Sequence, residues 1–515
     1  MLESLLNSVF LIIFMNSTRQ IKLGAVISYL SIAINMIAGL LYTPWMIRII
    51  GKGDYGLYTL AMSVISLFVF DFGLGVSINR FLSKYLAEGR QDKANQCLGM
   101  VYKLYFYIDI VLLIVLTTVY FFIAQIYQEL TPIEMEKFKI VYAMAAFFAV
   151  FSFPFIPING ILSAHEKFVQ LKLCDVIHKL IVVGAMSFCL FVGYGLYALI
   201  LVNALAGIIM IAMKLYFIKR YTSQKIDFMY KNREEFRQIV GFSGWVTIMS
   251  FCQRCIFTLG PTILGAFSGS AAIAIFGIAS TLEGYVFTFS SALSGMFLPR
   301  VSRIVAKDGD VLPLMIKIGR IQLMLVSFVV LGFCCVGFEF IQLWVGEDFS
   351  LSYLCTLFII IPSILQLPQE IGDQTLYAKN KLRERSYAFI SMAVANVVLG
   401  IPLSIFFGAV GLCFSICMAY LIRTIVLDII YKNVLHIDIC KFFKETFVVF
   451  LPAFILCLVV CFALNHFVCI GGWLSIGIKG IIYCVIMITS LFFFVMNKEE
   501  KEFVLFPIRK FFCKK

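Results

Sequence analysis

Arg254 has the clearest chemical consequence of any residue in this sequence, because it places a charge in the middle of a long apolar segment. The segment runs from residue 239 to residue 266, and Arg254 lies about 21 Å from its inner end at 1.5 Å per residue. A charge at that depth costs about 2.5–3.5 kcal/mol on insertion scales. Polar residues recur on the same face at helical spacing. They are Ser243, Thr247, Ser250 and Thr258. We therefore expect the guanidinium to face water or a counter-ion, where it can offset the charge of an anionic ligand.

Polar stripes of the same kind follow the first, second and eighth apolar segments. The eighth carries Ser280, Gly284, Thr288 and Ser291. The residues on the first two segments that we predict to line a cavity are Asn35, Ser66 and Arg80. A second interpretation stays open, because tight helix–helix contacts in membranes also favour Ser, Thr and Gly.

Two acidic residues are candidates for ion coupling. Asp71 lies in the second apolar segment, and Glu283 lies beside the stripe of the eighth. Ionisable residues inside a membrane commonly mark ion or substrate pathways. Glu283 has an alternative role as the structural partner of Arg254, which would neutralise the guanidinium rather than leave it for a ligand.

Two lysines lie inside other apolar segments. Lys179 is close in sequence to Asp175 and His178, and we predict that it lines the cavity, with snorkelling to the membrane surface as the alternative. Lys479 is expected to snorkel. The sequence has no metal-spaced cluster, no phosphate-cradling glycine loop and no nucleophile–base pair. We therefore predict no catalytic residue, no metal and no cofactor.

The composition indicates which kind of scaffold must hold these residues. Of 515 residues, 62% are hydrophobic and only 14% are charged, whereas soluble proteins carry about 25% charged residues. This excludes a soluble enzyme, a nucleic-acid-binding protein and a disordered scaffold. About fourteen segments are long enough to span a bilayer. Lys and Arg concentrate in alternate loops, which predicts that both termini are cytoplasmic. The fold class is an all-α polytopic membrane protein.

An internal repeat predicts the domain organisation. Residues Asn79–Gly89 align with residues Pro299–Gly309 when one gap is allowed, and two shorter matches follow in the same order. Paired repeats are a transporter architecture. We predict a cytoplasmic lead-in at 1–22, an N-lobe of six helices at 23–218, a linker at 219–238, a C-lobe of six helices at 239–431, two appended helices at 432–496 and a basic tail at 497–515.

The N-terminal motif resembles a known family. It reads Tyr42-Thr-Pro-Trp-Met-Ile-Arg-Ile-Ile-Gly-Lys-Gly-Asp-Tyr-Gly-Leu-Tyr58 and continues as Asp71-Phe-Gly-Leu-Gly-Val-Ser-Ile-Asn-Arg-Phe81. These stretches are similar to the polysaccharide transporter family, which includes O-antigen and capsule repeat-unit flippases within the multidrug/oligosaccharidyl-lipid/polysaccharide exporter superfamily. The resemblance implies MATE-like lobes around a V-shaped cavity. One departure is that members often carry an acidic residue in the outer half of the seventh helix, where this chain has Cys255-Ile-Phe-Thr-Leu259.

The resemblance implies a transporter rather than an enzyme. The expected activity is the flipping of undecaprenyl-pyrophosphate-linked oligosaccharide across the bacterial inner membrane by alternating access, with polymerase or glycosyltransferase machinery as candidate partners and no nucleic acid. A cation-coupled antiporter of drugs or metabolites is the first alternative. A membrane polysaccharide polymerase or ligase is the second, although the large outer loop that it predicts is absent from the sequence.

Overall fold

The structure is a computed structural model that describes residues 17–222, 224–230, 232–291, 297–307, 309–467, 471–498 and 500–502. Every regular element within these ranges is helical. The described chain forms two compact units, one ending at Ala274 and the other beginning at Ile275. The lobe boundaries expected from the repeat stay a prediction.

The first unit contains helices α1 to α9 and the start of α10. Their bounds are α1 Ser17–Phe68, α2 Leu74–Ala87, α3 Gln91–Ile126, α4 Pro132–Ser152, α5 Pro157–Ala164, α6 Phe168–Phe191, α7 Leu196–Tyr221, α8 Arg233–Phe257, α9 Gly260–Phe267 and α10 Gly269–Ser291. A 3₁₀ turn, Phe153–Phe155, joins α4 to α5.

The second unit contains the rest of α10 and helices α11 to α19. Their bounds are α11 Leu298–Val305, α12 Leu312–Val345, α13 Leu351–Ile360, α14 Ser363–Gln366, α15 Glu370–Ala378, α16 Leu382–Val434, α17 Ile439–Phe443, α18 Val449–Phe467 and α19 Trp473–Ser490. Two π-helical turns, Lys444–Val448 and Leu491–Val495, follow α17 and α19.

The longest helices must turn within their length. At 1.5 Å per residue, the 53 residues of α16 would extend to about 80 Å, whereas the hydrocarbon core of a bilayer is about 30 Å thick. The turn in α16 comes at Gly408, whose φ is 56°, and the turn in α1 comes at Gly51, whose φ is 85°. Residues with a Cβ rarely adopt these angles. Helix α16 therefore contains two of the apolar segments read from the sequence, and α1 contains the first segment and the start of the second.

The outer surface of both units is apolar. Phe147 and Phe191 of the first unit are 78% and 85% exposed, and Phe406 and Phe462 of the second are 78% and 77% exposed. Such patches cover soluble monomers only rarely, and lipid tails solvate them. Ten helical stretches within the described ranges have the length and hydropathy of membrane spans. The protein is thus an all-helical multi-pass membrane protein, as predicted, while the count of fourteen spans stays a prediction.

Candidate functional site

The helical chain of the first unit is interrupted between α1 and α2, inside the segment 57–79 that the sequence indicates as one span. Residues 69–73 leave the helix, and Phe72 and Gly73 adopt φ angles of 49° and 65°. A Cβ added to Gly73 would lie 2.8 Å from the Cβ of Val246. Irregular backbone at membrane depth is tolerated only where protein buries it or where it lines a cavity. Residues 69–73 must therefore either be buried by protein or line a cavity of the first unit.

Asp71 organises the restart of the helix at α2. Its two carboxylate oxygens each accept a hydrogen bond from the main-chain nitrogen of Gly75 at 3.0 Å. Its Oδ1 also accepts a hydrogen bond from the hydroxyl of Tyr105 at 2.6 Å. A carboxylate beside the first turn of a helix satisfies donors that have no intrahelical partner. Asp71 thus has a clear structural role, and its predicted role in ion coupling stays a prediction.

Arg254 lies at the other edge of the same interruption. Its Nη1 donates a hydrogen bond to the main-chain carbonyl of Ser66 at 2.6 Å, and its guanidinium lies 5.2 Å from the ring centroid of Phe70. Ser66 is in the last turn of α1, where carbonyls lack intrahelical donors and carry partial negative charge. The sequence reasoning selected Ser66 for its hydroxyl, but the carbonyl of this residue makes the contact.

Arg254 is also in the last turn of its own helix. The predicted span 239–266 is not one continuous helix, because α8 ends at Phe257 and α9 begins at Gly260. Thr258 lies in the turn between them, and its main-chain nitrogen donates to the carbonyl of Arg254 at 2.9 Å. The proline at position 261 suits the first turn of a new helix. Arg254 therefore lies at the C-terminal end of α8, and its guanidinium donates to the C-terminal end of α1.

Thr247 makes a second bridge from α8 to the interruption. Its hydroxyl oxygen lies 2.5 Å from the carbonyl oxygen of Phe72 and 2.8 Å from that of Ser243, so its single proton is shared between two acceptors. Thr247 and Arg254 are seven residues apart and lie on one face of α8. Ser250 lies between them in sequence and is half-buried. The polar stripe on α8 thus contacts both edges of the interrupted helix.

An apolar cleft lies beside this polar region and has a volume of about 360 Å³. The residues that line it are Leu67, Phe68, Phe70, Phe72, Thr247, Ile248, Phe251 and Cys252. Phe70 is shared, since it lines the cleft and contacts the guanidinium of Arg254. A charged group and an apolar hollow are therefore adjacent in the first unit.

Arg254 forms none of the ion pairs found within the described ranges. Its guanidinium has five N–H donors, of which one is used in the hydrogen bond to Ser66. The remaining donors and the net charge are features that a bound anion could satisfy.

Lys179 lies on α6 and is half-buried. The nearby carboxylate of Asp175 pairs with two other lysines, Lys172 at 3.6 Å and Lys214 at 3.2 Å. Lys214 also donates to the side chain of Asn159 at 3.1 Å. Sequence reasoning missed Lys214, which it counted among the loop cations, although the side chain is only 7% exposed. The role of Lys179 in the cavity stays a prediction.

For three other predicted site residues, the structure gives the helix on which each of them lies. The side chains of Asn35 and Arg80 lie outside the described residues, although both positions are helical, in α1 and α2. Glu283 lies on α10 within the second unit and is half-buried. Their roles in the cavity and in ion coupling stay predictions.

The second unit contains buried charges that have partners. Lys479 is 1% exposed and forms an ion pair with Glu339 of α12. It also donates to the side chain of Asn465 at 3.2 Å. The expectation that Lys479 snorkels to the surface is therefore wrong, because a carboxylate on a neighbouring helix stabilises the ammonium in place. Arg385 likewise pairs with Asp373 at 2.6 Å.

Comparisons with known proteins agree with this architecture. The family described as "Polysaccharide biosynthesis protein" matches residues 21–305, which is more than half of the chain. No curated protein shows significant sequence similarity to the chain.

Among solved structures, the lipid II flippase MurJ in an inward closed conformation superposes with a TM-score of 0.73 at 14% identity, over 92% of this chain and 98% of that one. A MATE family multidrug resistance transporter of the MOP superfamily, in its inward-facing conformation, gives 0.64 at 13% identity, over 80% and 99%. A MOP superfamily transporter from Pyrococcus furiosus gives 0.58 at 13% identity, over 81% and 96%.

These likenesses establish the fold, and the match over residues 21–305 establishes the family. The resemblance read from the N-terminal motif is thereby confirmed: the chain belongs to the polysaccharide biosynthesis protein family and has the all-helical fold of the MOP superfamily transporters.

Proposed function

We propose that the protein is a flippase that moves polyprenyl-pyrophosphate-linked oligosaccharide units from the inner to the outer leaflet of a bacterial cytoplasmic membrane. The process breaks no covalent bond, so the protein acts as a transporter and not as an enzyme. The observation that carries the proposal is Arg254 at the interrupted helix, with four guanidinium donors beyond the one that Ser66 accepts, in a chain of this family.

The physical problem is that sugars cannot cross hydrocarbon unaided. Each polar group left without a hydrogen-bond partner there costs several kcal/mol. A flippase must therefore offer a polar passage to the sugars and leave the lipid tail in an apolar environment. Broken helices whose ends face the ligand are a recurrent way to build such a passage, and residues 69–73 supply one here.

The chemistry beside the interruption suits a ligand that has both a charge and an apolar part. The guanidinium can donate two parallel hydrogen bonds to phosphate oxygens. The adjoining cleft, lined largely by Phe and Leu side chains, offers apolar surface. A free sugar needs neither feature, whereas the diphosphate and the first isoprene units of a lipid-linked sugar use both.

The remaining residues complete the proposal. Cavity residues besides Arg254 are proposed to be Asn35, Ser66, Arg80, Lys179, Ser250 and Thr258. Asp71 and Glu283 are the proposed ion-coupling residues. Both termini are proposed to be cytoplasmic, and polymerase or glycosyltransferase machinery would use the flipped product.

A cation-coupled antiporter of drugs or metabolites is the second candidate, and the likeness to MATE transporters supports it. The two candidates predict different phenotypes. Loss of a flippase leaves lipid-linked sugar intermediates in the inner leaflet, whereas loss of an antiporter changes only the sensitivity of the cell to its substrates.

The decisive experiment deletes the gene in its native host and measures lipid-linked oligosaccharide by extraction and mass spectrometry. We expect accumulation in the deletion strain and relief by the wild-type gene. Arg254→Ala should fail to relieve the accumulation, because no other donor replaces the guanidinium. Arg254→Lys should relieve it partly, since an ammonium keeps the charge but loses the bidentate geometry.

Gln253→Ala is the matched control, because Gln253 is the neighbour of Arg254 on α8 and is exposed. It should relieve the accumulation as fully as wild type. If the deletion strain accumulates no lipid-linked sugar, the flippase proposal is wrong. If the strain accumulates it but Arg254→Ala transports normally, only the role of Arg254 is wrong.

A further inference from the structure

Helix α11 is a short amphipathic helix between α10 and α12 of the second unit. Its Val301 is fully buried in a cluster that includes Met315 of α12 and Leu427 of α16. Arg300, Arg303 and Lys307 are exposed. The apolar face of α11 therefore packs against protein, which fixes the orientation of the basic face.

The three cations converge on one hollow. Arg300, Arg303 and Lys307, together with Ile304, line a hollow of about 330 Å³, and we call these three cations the basic patch. None of them takes part in an ion pair within the described parts of the chain. Asp310 follows in the chain, but its carboxylate accepts a hydrogen bond from the main-chain nitrogen of Leu312 at 2.9 Å and so caps α12.

The equivalent region of the first unit has a different charge arrangement. In the internal repeat, Arg303 aligns with Lys84 and Lys307 aligns with Glu88. Glu88 accepts a hydrogen bond from Arg90 at 2.9 Å and lies 4.0 Å from Lys84. The first unit thus places an acid between two cations at this position, whereas the second unit has a third cation, Lys307, followed in the sequence by Asp308.

The position of the basic patch restricts its partner. Helix α12 begins at Leu312, five residues after Lys307, so the patch lies within about 17 Å of the start of a membrane-spanning helix. Phosphate head groups occupy the layer next to the hydrocarbon core. Three exposed cations around a hollow at this level offer charge and hydrogen-bond donors to a phosphate.

We propose that the basic patch binds the phosphate head group of an anionic phospholipid in the leaflet next to α11. The site does not include Arg254, and the proposal does not depend on the proposed flippase activity. Its ligand reaches it by lateral diffusion in the bilayer, and its affinity falls with salt because exposed charges are screened.

The test is a titration of the full-length chain in neutral detergent with phosphatidylglycerol, followed by native mass spectrometry. We expect phosphatidylglycerol to bind more tightly than phosphatidylcholine. Each basic residue near an anionic surface contributes about fivefold in affinity. The triple variant Arg300→Ala/Arg303→Ala/Lys307→Ala should therefore bind phosphatidylglycerol about 100-fold more weakly.

The first unit supplies the matched controls. Lys84→Ala/Arg90→Ala removes two cations that share the carboxylate of Glu88, so it should leave phosphatidylglycerol affinity within about twofold, far below the change expected for the patch. Lys307→Glu copies the charge pattern of the first unit and should weaken binding more than Lys307→Ala. Glu88→Lys should create a second binding event. These positions are exposed, and a melting curve for each variant verifies that it folds.

Equal affinity of the triple variant and wild type for phosphatidylglycerol would overturn the proposal. Equal binding of phosphatidylcholine would also overturn it, because the site would then not recognise charge. Displacement of the lipid by inorganic pyrophosphate, at concentrations below those at which phosphatidylglycerol binds, would assign the patch to soluble phosphates instead.

Discussion

Arg254 of the first unit and Lys479 of the second are both cations at membrane depth, but their surroundings differ. Lys479 is almost completely buried and is paired with the carboxylate of Glu339. Arg254 is half-buried and contacts a helix-end carbonyl and an aromatic ring. A carboxylate partner cancels the charge, whereas a carbonyl and a ring leave a net positive charge in place. The difference separates a cation that holds helices together from one that can attract a ligand.

We expect the largest loss of stability when Lys479, the cation with a carboxylate partner, is removed. Lys479→Ala leaves the half-buried carboxylate of Glu339 without its ammonium partner, and breaking a buried ion pair costs up to about 3–5 kcal/mol. Thermal unfolding of the purified protein in detergent should show a large fall in Tm. Lys432→Ala is the control, because Lys432 is exposed and should change stability by at most about 0.5 kcal/mol. A similar Tm for both variants would contradict the structural role of the pair.

The second-largest loss of stability is expected when Arg254 is removed. Arg254→Ala removes one hydrogen bond from a charged donor, which contributes about 1.5–3 kcal/mol. The same thermal unfolding should therefore show a smaller fall in Tm than Lys479→Ala produces. If Arg254→Ala were the more destabilising variant, Arg254 would be a structural cation, and the contrast with Lys479 would be lost.

Arg320 of α12 is a third cation, and its ion pair with Glu500 should make the stability of the protein depend on pH. Burial tends to raise the pKa of Glu500, but the hydrogen bonds from Arg320 and from the main-chain nitrogen of Asn497, with the charges of Arg320 and Lys317, together lower this pKa below its usual range. The stabilisation is therefore present above the ordinary pKa of a glutamate, about 4.3, and is lost as pH falls through the lowered pKa.

Tm measured from neutral pH downward should fall through this acidic range, and Glu500→Gln should flatten part of the fall. The amide keeps the shape of the side chain but does not titrate. An unchanged pH profile in Glu500→Gln would mean that the pair adds nothing to stability.

The smallest effect is expected at Thr247. Thr247→Val keeps the shape of the side chain but removes the hydroxyl that donates to the carbonyl of Phe72 or Ser243. A neutral hydrogen bond contributes about 0.5–1.5 kcal/mol, so Tm should fall slightly. Thr258→Val, in the turn after α8, is the comparison variant. If Thr258→Val lowered Tm more than Thr247→Val, the interruption between α1 and α2 would not depend on Thr247.

Composition and helical spacing were enough to predict the fold class and to select Arg254, because a charge inside an apolar segment is visible in any sequence. The two interruptions were missed, since hydropathy averages over them. Local signals were nevertheless present in Asp71-Phe-Gly73 and in Gly260-Pro261, which are turn and helix-start residues.

Pairing partners could not be read from the sequence for a different reason. Glu339 and Lys479 are 140 residues apart, and Asp175 and Lys214 are 39 residues apart. Nothing local relates the members of either pair, so their contact follows only from how the helices pack. Lys214 was counted among the cations of the following loop, although the apolar residues Leu215 to Ile218 come after it and α7 continues to Tyr221.

The hydrogen bond between Arg254 and Ser66 has a consequence for any anion that arrives. The guanidinium that we propose binds a phosphate through its other donors is already anchored by Nη1 to a peptide oxygen at the end of α1. If the side chain moves toward an anion, the hydrogen bond to Ser66 lengthens and the end of α1 loses its cap. Anion binding at this position and the end of α1 are therefore coupled through a single side chain.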